Sequence, residues 1–293
     1  MLRFLIAESE TAEQRENRRA DVGQSEGESF VSTLEELAPG ASIERVSPGD
    51  EEIEDLDCPR LEGLDAVFLT GAPLHVYEDT AETRRQLEFM RRVLDSGTPS
   101  FGSCAGLQIA CAAAGGRVRR MPHRKEVGIA RRITATEAGR DHPLLAGRPP
   151  SWDALTIHFD EVEELPPGAT LLARNDRSAV HACEIRHGAG VFWGVQYHPE
   201  LDCGEIGAAL LRQVDGLIED GLVDSPEPVE RMAGLFKALH ESPGRRDVRW
   251  QLGVDEEVAL RERRRRELSN FIRSLVIPTA RTRGRLERVR EPT

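Results

Sequence analysis

Gly102-Ser103-Cys104-Ala105-Gly106 is the segment whose residue types and spacing are best suited to chemistry. A nucleophile with a glycine two residues away on either side fits a sharp turn between a strand and a helix, which lifts the middle side chain clear of the backbone. A cysteine thiolate at the start of a helix is favoured by the helix dipole. The N–H of Ala105 would then face an oxyanion formed on a carbonyl attacked by sulfur. Taken alone, the pentapeptide fits a buried free thiol in an ordinary turn equally well.

A second group of residues turns that balance. Gly194-Val195-Gln196-Tyr197-His198-Pro199-Glu200 closes what reads as the last strand of a sheet. Residues two apart in extended chain share a face, and Pro199 biases His198 towards extended backbone, so His198 and Glu200 project together. A carboxylate beside an imidazole holds its tautomer and leaves the other ring nitrogen to take a cysteine proton. Thr70-Gly71-Ala72-Pro73, after an earlier strand, could aim another backbone N–H into the crevice where open parallel sheets bind ligands. By itself it reads as an ordinary turn.

The elements that must position these residues are legible as hydrophobic runs and breakers. Residues 2–7, 41–46, 65–70 and 99–104 read as strands, alternating with helices over 28–37, 82–94 and 107–114, and residues 8–29 as a polar stretch. Such alternation is the pattern of a parallel sheet wrapped by helices. After Gly116 the texture changes to short strand-like runs at 127–135, 155–159, 170–173, 179–185 and 191–197, a more antiparallel half of the same sheet. A helix over 205–222 closes this unit, residues 1–222. Residues 223–293 form a charged helical extension, with helices at 229–240 and 256–275 and a basic tail. The run Arg261-Glu262-Arg263-Arg264-Arg265-Arg266 reads as a solvated helix face, or else as a docking surface for a partner or an anion.

Composition narrows the function classes. With 39% hydrophobic and 31% charged residues, the 293-residue chain suits a globular protein with a wet surface. No apolar run approaches the roughly 20 residues of a membrane helix, and Glu8 ends the first apolar stretch too early for a signal peptide. No membrane association is therefore expected. The net charge of −12 argues against nucleic acid as a partner, although the stretch from Glu241 onward holds 14 Arg against 9 acidic residues. Five widely spaced cysteines without a Cys-x-x-Cys pair fit a reducing cytosol better than a disulfide framework. Cys111 reads as core. The pairs Cys183 with His187 and His123 with His142 match no familiar metal spacing, so no metal and no cofactor are expected.

The order Thr70-Gly71-Ala72-Pro73, then Gly102-Ser103-Cys104-Ala105-Gly106-Leu107-Gln108, then Gly194-Val195-Gln196-Tyr197-His198-Pro199-Glu200 resembles the class I (triad-type) glutamine amidotransferases over residues 2–222. The chain is most similar to stand-alone proteins resembling the amidotransferase domain of GMP synthase. The resemblance implies a three-layer α/β sandwich with a mixed, mainly parallel central sheet of flavodoxin-like type. It implies Cys104 as nucleophile, His198 as general acid/base, Glu200 as its orienter, and the Ala72 and Ala105 amides as oxyanion hole. Gly71 and Gln108 would lie near the substrate, and His158 stands where relatives carry a His-x-Asp element by the pocket. Many members have Gly-Gly-Pro where this chain has Gly71-Ala72-Pro73; a backbone donor does not require the second glycine.

The first functional reading is a glutaminase that cleaves the glutamine side-chain amide through a γ-glutamyl thioester. No Gly-x-x-x-x-Gly-Lys-Ser/Thr loop is present, so a synthetase using the ammonia would be a partner on another chain. The alternative is a stand-alone hydrolase of other γ-glutamyl amides or peptides, with a roomier pocket built in part from 8–29 and 77–83. A catalytically silent binding or regulatory protein is the third reading; the loss of nucleophile or histidine that usually marks one is absent.

Overall fold

The computed structural model describes residues 1–50, 57–122 and 125–286. In chain order the first half comprises β1 (Arg3–Ala7), α1 (Ala12–Val22), α2 (Glu26–Leu37), β2 (Ser42–Val46), α3 (Cys58–Glu62), β3 (Ala66–Leu69), α4 (Ala81–Asp95), β4 (Ser100–Ser103) and α5 (Ala105–Ala113). The second half runs β5 (Arg117–Arg120), β6 (Glu126–Ala135), α6 (Glu137–Arg140), β7 (Ser151–His158), β8 (Asp160–Glu164), β9 (Ala169–Arg174), β10 (Ala182–His187) and β11 (Gly190–Val195). Helices α7 (Cys203–Arg212), α8 (Val214–Glu219), α9 (Pro226–Glu241) and α10 (Arg246–Leu252) follow.

Nine strands make one sheet in the order β2-β1-β3-β4-β11-β10-β9-β6-β7. The first five are parallel and the remaining pairings antiparallel, the mixed, mainly parallel sheet that the strand–helix alternation implied. Period-two alternation sends Phe4, Ile6, Phe68 and Phe101 to one face, beneath α2. Leu5, Val67, Leu69 and Phe192 go to the other, beneath α4 and α5. The strands β5 and β8 pair separately as a small antiparallel ribbon that the sequence pattern does not reveal. No helix among the described residues is long and apolar enough to cross a membrane.

Three readings are corrected. Residues 8–29 are not simply polar loop but contain α1, whose Thr11 and Gln14 form a capping box. The helix over 205–222 breaks at Gln213 into α7 and α8. The helix over 256–275 is a series of short pieces, Glu256–Ala259, Arg261–Arg264, Arg266–Phe271 and a π-turn at Ile272–Val276, broken first at Leu260, which adopts extended backbone (φ −94°, ψ 130°), and again at Arg265 (φ −81°, ψ 10°).

The arginine run is also less solvated than its charge suggests. Arg261 and Arg265 hold Glu36 at 3.1 and 2.6 Å, and buried Arg264 donates to the Val258 and Ala259 carbonyls. Leu268, Phe271, Ile272 and Val276 turn one apolar face onto the sheet. The Phe271 ring lies 5.4 Å from that of Phe68 and 5.6 Å from that of Phe101. The basic tail beyond residue 286 lies outside the described residues. Truncating a fully buried phenylalanine typically costs about 3–5 kcal/mol. Phe271→Ala is therefore expected to lower the urea unfolding free energy by about that amount, while Trp250→Ala, at a position 82% exposed, changes it by less than about 0.5 kcal/mol. A Phe271→Ala loss no larger than the Trp250→Ala effect would show that the C-terminal segment is not docked as described.

Candidate functional site

Parallel register brings the three sequence motifs to one edge of the sheet. Leu69 of β3 pairs with Gly102 of β4, and Ser103 of β4 pairs with Val195 of β11. The segments leaving these strands, 70–73, 104–106 and 196–200, therefore start side by side at the carboxyl ends of the strands. Cys104 stands between β4 and α5 with φ 50° and ψ −109°. Among the described residues, Arg132 is the only other non-glycine with positive φ. Such a conformation costs on the order of 1–3 kcal/mol and persists because the surroundings fix it. The Cys104 N–H donates to Val195 O at 2.9 Å, and the Gln108 N–H donates to Cys104 O at 3.1 Å. The helix start packs so closely on β3 that a Cβ on Gly106 would sit 2.5 Å from the Leu69 carbonyl oxygen.

His198 and Glu200 lie in the irregular segment after β11, beyond the strand itself, and still face one another. The His198 Nδ1–H donates to Glu200 Oε1 at 2.7 Å, and the Ser103 hydroxyl donates to the same oxygen at 2.9 Å. The backbone N–H of His198 is anchored on Leu155 O at 2.9 Å. Cys104, His198 and Glu200 are all buried, and His198 Nε2 has no hydrogen-bond partner. Burial opposes charge on the ring, but Glu200 and then Cys104 outweigh it and raise the His198 pKa well above its ordinary value. Gly71 closes the other side: a Cβ there would lie 2.7 Å from His198 Cε1 and 3.6 Å from Cys104 Cβ.

These residues open onto a cavity of about 510 Å³. Ala72 lines it without left-handed backbone, so its methyl group brings no backbone strain there. Ala105 is the first residue of α5, and its N–H belongs to the turn that helices leave unpaired. Gln108 is buried on the cavity wall, its Nε2 donating to Asp160 O at 3.1 Å and Gln196 Oε1 at 3.2 Å. His158 also lines the cavity, but both ring nitrogens are engaged: Nδ1 with Asp160 O at 2.9 Å and Nε2 with Glu126 Oε2 at 3.1 Å. Its hydrogen-bonding capacity is therefore used within the protein. Of the two stretches expected to build the pocket, 8–29 contributes Glu10, Gln14, Asn17, Arg18 and Glu26, whereas 77–83 contributes nothing and Pro73, Leu74 and His75 take its place.

Sequence reasoning did not single out Arg18 and Glu26. Arg18 is the one buried residue of α1, with Nη1 2.9 Å from Glu26 Oε2 and Nη2 2.9 Å from Glu205 Oε1. Glu26 opens α2, and its Oε1 lies 3.6 Å from His198 Nδ1. The capping boxes Thr11-x-x-Gln14 and Ser25-x-x-Glu28 were the available signal, since they mark two helix starts inside the polar stretch. Burial pushes the Glu26 carboxyl up to about 8, although Arg18 and His198 both pull it down.

Among the described residues, two groups of metal-capable side chains have ligand atoms within 4.8 Å of one another: Glu126 with His158 and His181, and Glu26 with His198 and Glu200. The first is closed on itself, Glu126 accepting from Asn175 at 2.7 Å and contacting both imidazoles. His142 bonds the Leu144 N–H and faces Glu184 at 3.3 Å; Cys183 is buried against Cys111; and His123 lies outside the described residues.

Comparison with known proteins adds four findings. The family model "Glutamine amidotransferase class-I" matches residues 20–215. A γ-glutamyl-L-1-hydroxyisopropylamide hydrolase from a Pseudomonas species is 36% identical over 287 residues, 95% of each chain. The glutamine-hydrolysing GMP synthase of Thermomicrobium roseum is 35% identical over 146 residues, half of this chain and 25% of that one. In structure, a glutamine amidotransferase from Thermotoga maritima superposes with a TM-score of 0.65 at 17% identity, covering 93% of this chain and 99% of that one, which shows the shared fold.

The Glu26 carboxyl has a measurable consequence. Its ordinary value is 4.5 and its folded value about 8, so between those values the folded protein keeps a proton that the unfolded chain has released. Its contribution to stability therefore falls as pH rises across that window. Glu26→Gln removes this dependence. Denaturation of both proteins from about pH 5 to about pH 8 is expected to show the variant gaining on the parent as pH rises; a difference flat in pH would contradict the assignment.

Proposed function

Since the chain belongs to the class I glutamine amidotransferase family, we propose that it hydrolyses γ-glutamyl amides through Cys104, His198 and Glu200, acting without a synthetase partner. The carrying observation is the extent of the likeness to the Pseudomonas hydrolase, 95% of both chains, where the GMP synthase match spans half of this one. The segment after residue 222 is read as part of the catalytic fold: Glu267 accepts from the Tyr197 hydroxyl at 2.8 Å, one residue from His198.

In this reading His198 Nε2 takes the Cys104 thiol proton as Sγ attacks the γ-carbonyl carbon. The tetrahedral oxyanion is held by the Ala72 and Ala105 N–H groups, one such donor being worth about 10²–10³-fold in rate. As the C–N bond breaks, the imidazolium gives its proton to the departing amine. Water then loses a proton to His198, attacks the γ-glutamyl thioester and releases glutamate, restoring the thiol. Glu200 stays ionised throughout, stabilising the imidazolium and orienting the ring. Gly71 leaves room for the histidine, and Gln108 shapes the acyl side of the pocket together with His158.

Glutamine is the simplest such amide, and the likeness to GMP synthases favours a second reading, a glutaminase supplying ammonia to a partner. The two separate in one assay: the first expects faster amine release from substituted γ-glutamyl amides than ammonia release from glutamine, the second the reverse. Cys104→Ala is expected to abolish both, and intact-mass spectrometry of a quenched reaction is expected to find a γ-glutamyl adduct on the parent alone. Glu200→Gln should lower kcat by about 10²–10⁴-fold, the scale seen when a triad carboxylate is neutralised. Full turnover by Cys104→Ala would end the site assignment.

A further inference from the structure

Two carboxyl groups, not one, stand at the Nδ1 edge of the His198 ring. Glu200 Oε1 accepts from Nδ1 at 2.7 Å, and Glu26 Oε1 lies 3.6 Å from the same nitrogen. The longer distance is beyond a hydrogen bond but within the range at which a neighbouring charge shifts a proton equilibrium. Glu26 Oε1 has no hydrogen-bond partner among the described residues, so what it offers the ring is charge. Its carboxyl is held in place. Oε2 meets Arg18 Nη1 at 2.9 Å, the Glu26 N–H donates to Glu10 Oε2 at 2.9 Å, and the residue is 4% exposed.

The charged groups around Glu26 come from several elements. Arg18 on α1 and Arg212 on α7 are cationic, while Glu10 ahead of α1 and Glu200 after β11 are anionic. Glu205 of α7 lies 2.9 Å from the other terminal nitrogen of Arg18, so Arg18 is shared between two carboxyl groups. Burial keeps the proton on Glu26 up to about 8, against the pull of Arg18 and His198. Below that value the Nδ1 edge faces one anion, Glu200; above it the edge faces two.

Resting on the reading of Cys104 and His198 as the reacting pair, we infer that Glu26 is a positioning residue that acts through His198: its carboxylate holds the proton on the ring after the Cys104 proton has moved there. When that proton passes from Sγ to Nε2, the ring carries one positive charge and Nδ1–H stays bonded to Glu200. A second carboxylate at this edge stabilises the imidazolium and keeps it able to protonate the departing amine at alkaline pH. Glu200 orients the ring, and Glu26 sets how firmly the ring keeps its proton. Activity falls at high pH as the imidazolium loses that proton. Ionised Glu26 opposes the loss, so the alkaline limb lies higher with this carboxylate than without it. The acid limb is reached while Glu26 is protonated and does not depend on it.

The test is the pH profile of kcat/KM for hydrolysis of γ-glutamylmethylamide, from about pH 5 to about pH 10, in the parent and in Glu26→Gln. The alkaline limb is expected about 1–3 pH units lower in the variant, the span by which an opposite charge at this range moves a pKa, with the acid limb unmoved. A role confined to packing would lower the whole profile without displacing one limb against the other. Coincident alkaline limbs, or equal displacement of both limbs, would overturn the inference. Glu26→Asp draws the carboxylate back by one methylene, and its alkaline limb is expected between those of the other two. If Glu26→Gln fails to fold, an alkaline limb of Glu26→Asp coincident with the parent's overturns the inference in its place. No turnover in the parent, or the parent's rate in His198→Ala, would instead remove the reading of the reacting pair on which the inference rests.

Discussion

Cys104 is held at φ 50°, a conformation that L-residues avoid, and the other features of the site are arranged around keeping it there. A lone turn in solution would relax. Here the turn is clamped from both flanking strands, by the Cys104 N–H on Val195 O and by the approach of Gly106 to Leu69. Those strands carry the other two motifs, and their register with β4 sets how far each loop must travel to reach the sulfur. The strain in the turn and the assembly of the site therefore share one cause, the central place of β4 in the parallel half of the sheet.

Electrostatics adds a second constraint. Glu10, Glu26, Glu200 and Glu205 are all buried around the cationic centres Arg18 and His198. Buried charge is tolerated only when paired and hydrogen-bonded, and most of this pairing comes from α1, α2 and α7 rather than from the loops that carry Cys104 and His198. Glu200 is satisfied by His198 and Ser103 on one oxygen, which fixes the imidazole while leaving its Nε2 open. Glu26 is satisfied on one oxygen only. The same holds for Glu200, whose Oε2, like Oε1 of Glu26, is buried without a hydrogen-bond partner.

How much of this was legible in the sequence follows from the range of each interaction. The motif residues could be read because turn chemistry and strand spacing are local, and parallel register then brings local features together. The switch from parallel to antiparallel strands after Gly116 was legible for the same reason, through the length and spacing of the apolar runs. Helix α1 was not, because it has no apolar stripe: its single buried residue is Arg18, and burial of an arginine depends on Glu26 and Glu205, the latter 187 positions away. The arginine run at 261–266 was read as solvated for the complementary reason. Its partners include Glu36, which no count of neighbouring charges identifies.

The C-terminal segment shows most directly why extent of likeness matters more here than motif identity. Glu267 is fully buried, accepting from Tyr197 and paired with Arg148 at 2.7 Å, and Arg148 also meets Glu257 at 2.6 Å. Without residues 256–282, Arg148 and Tyr197 would be left as unpaired polar groups in the core, next to the segment that carries His198. Phe68 and Phe101 would lose the aromatic contact that covers them. A chain that kept the three motifs but replaced this segment would need another means of covering that face of the sheet and holding the Tyr197–His198 backbone. The Pseudomonas hydrolase is matched over 95% of both chains, and so over most of this segment, whereas the GMP synthase match spans half of this chain.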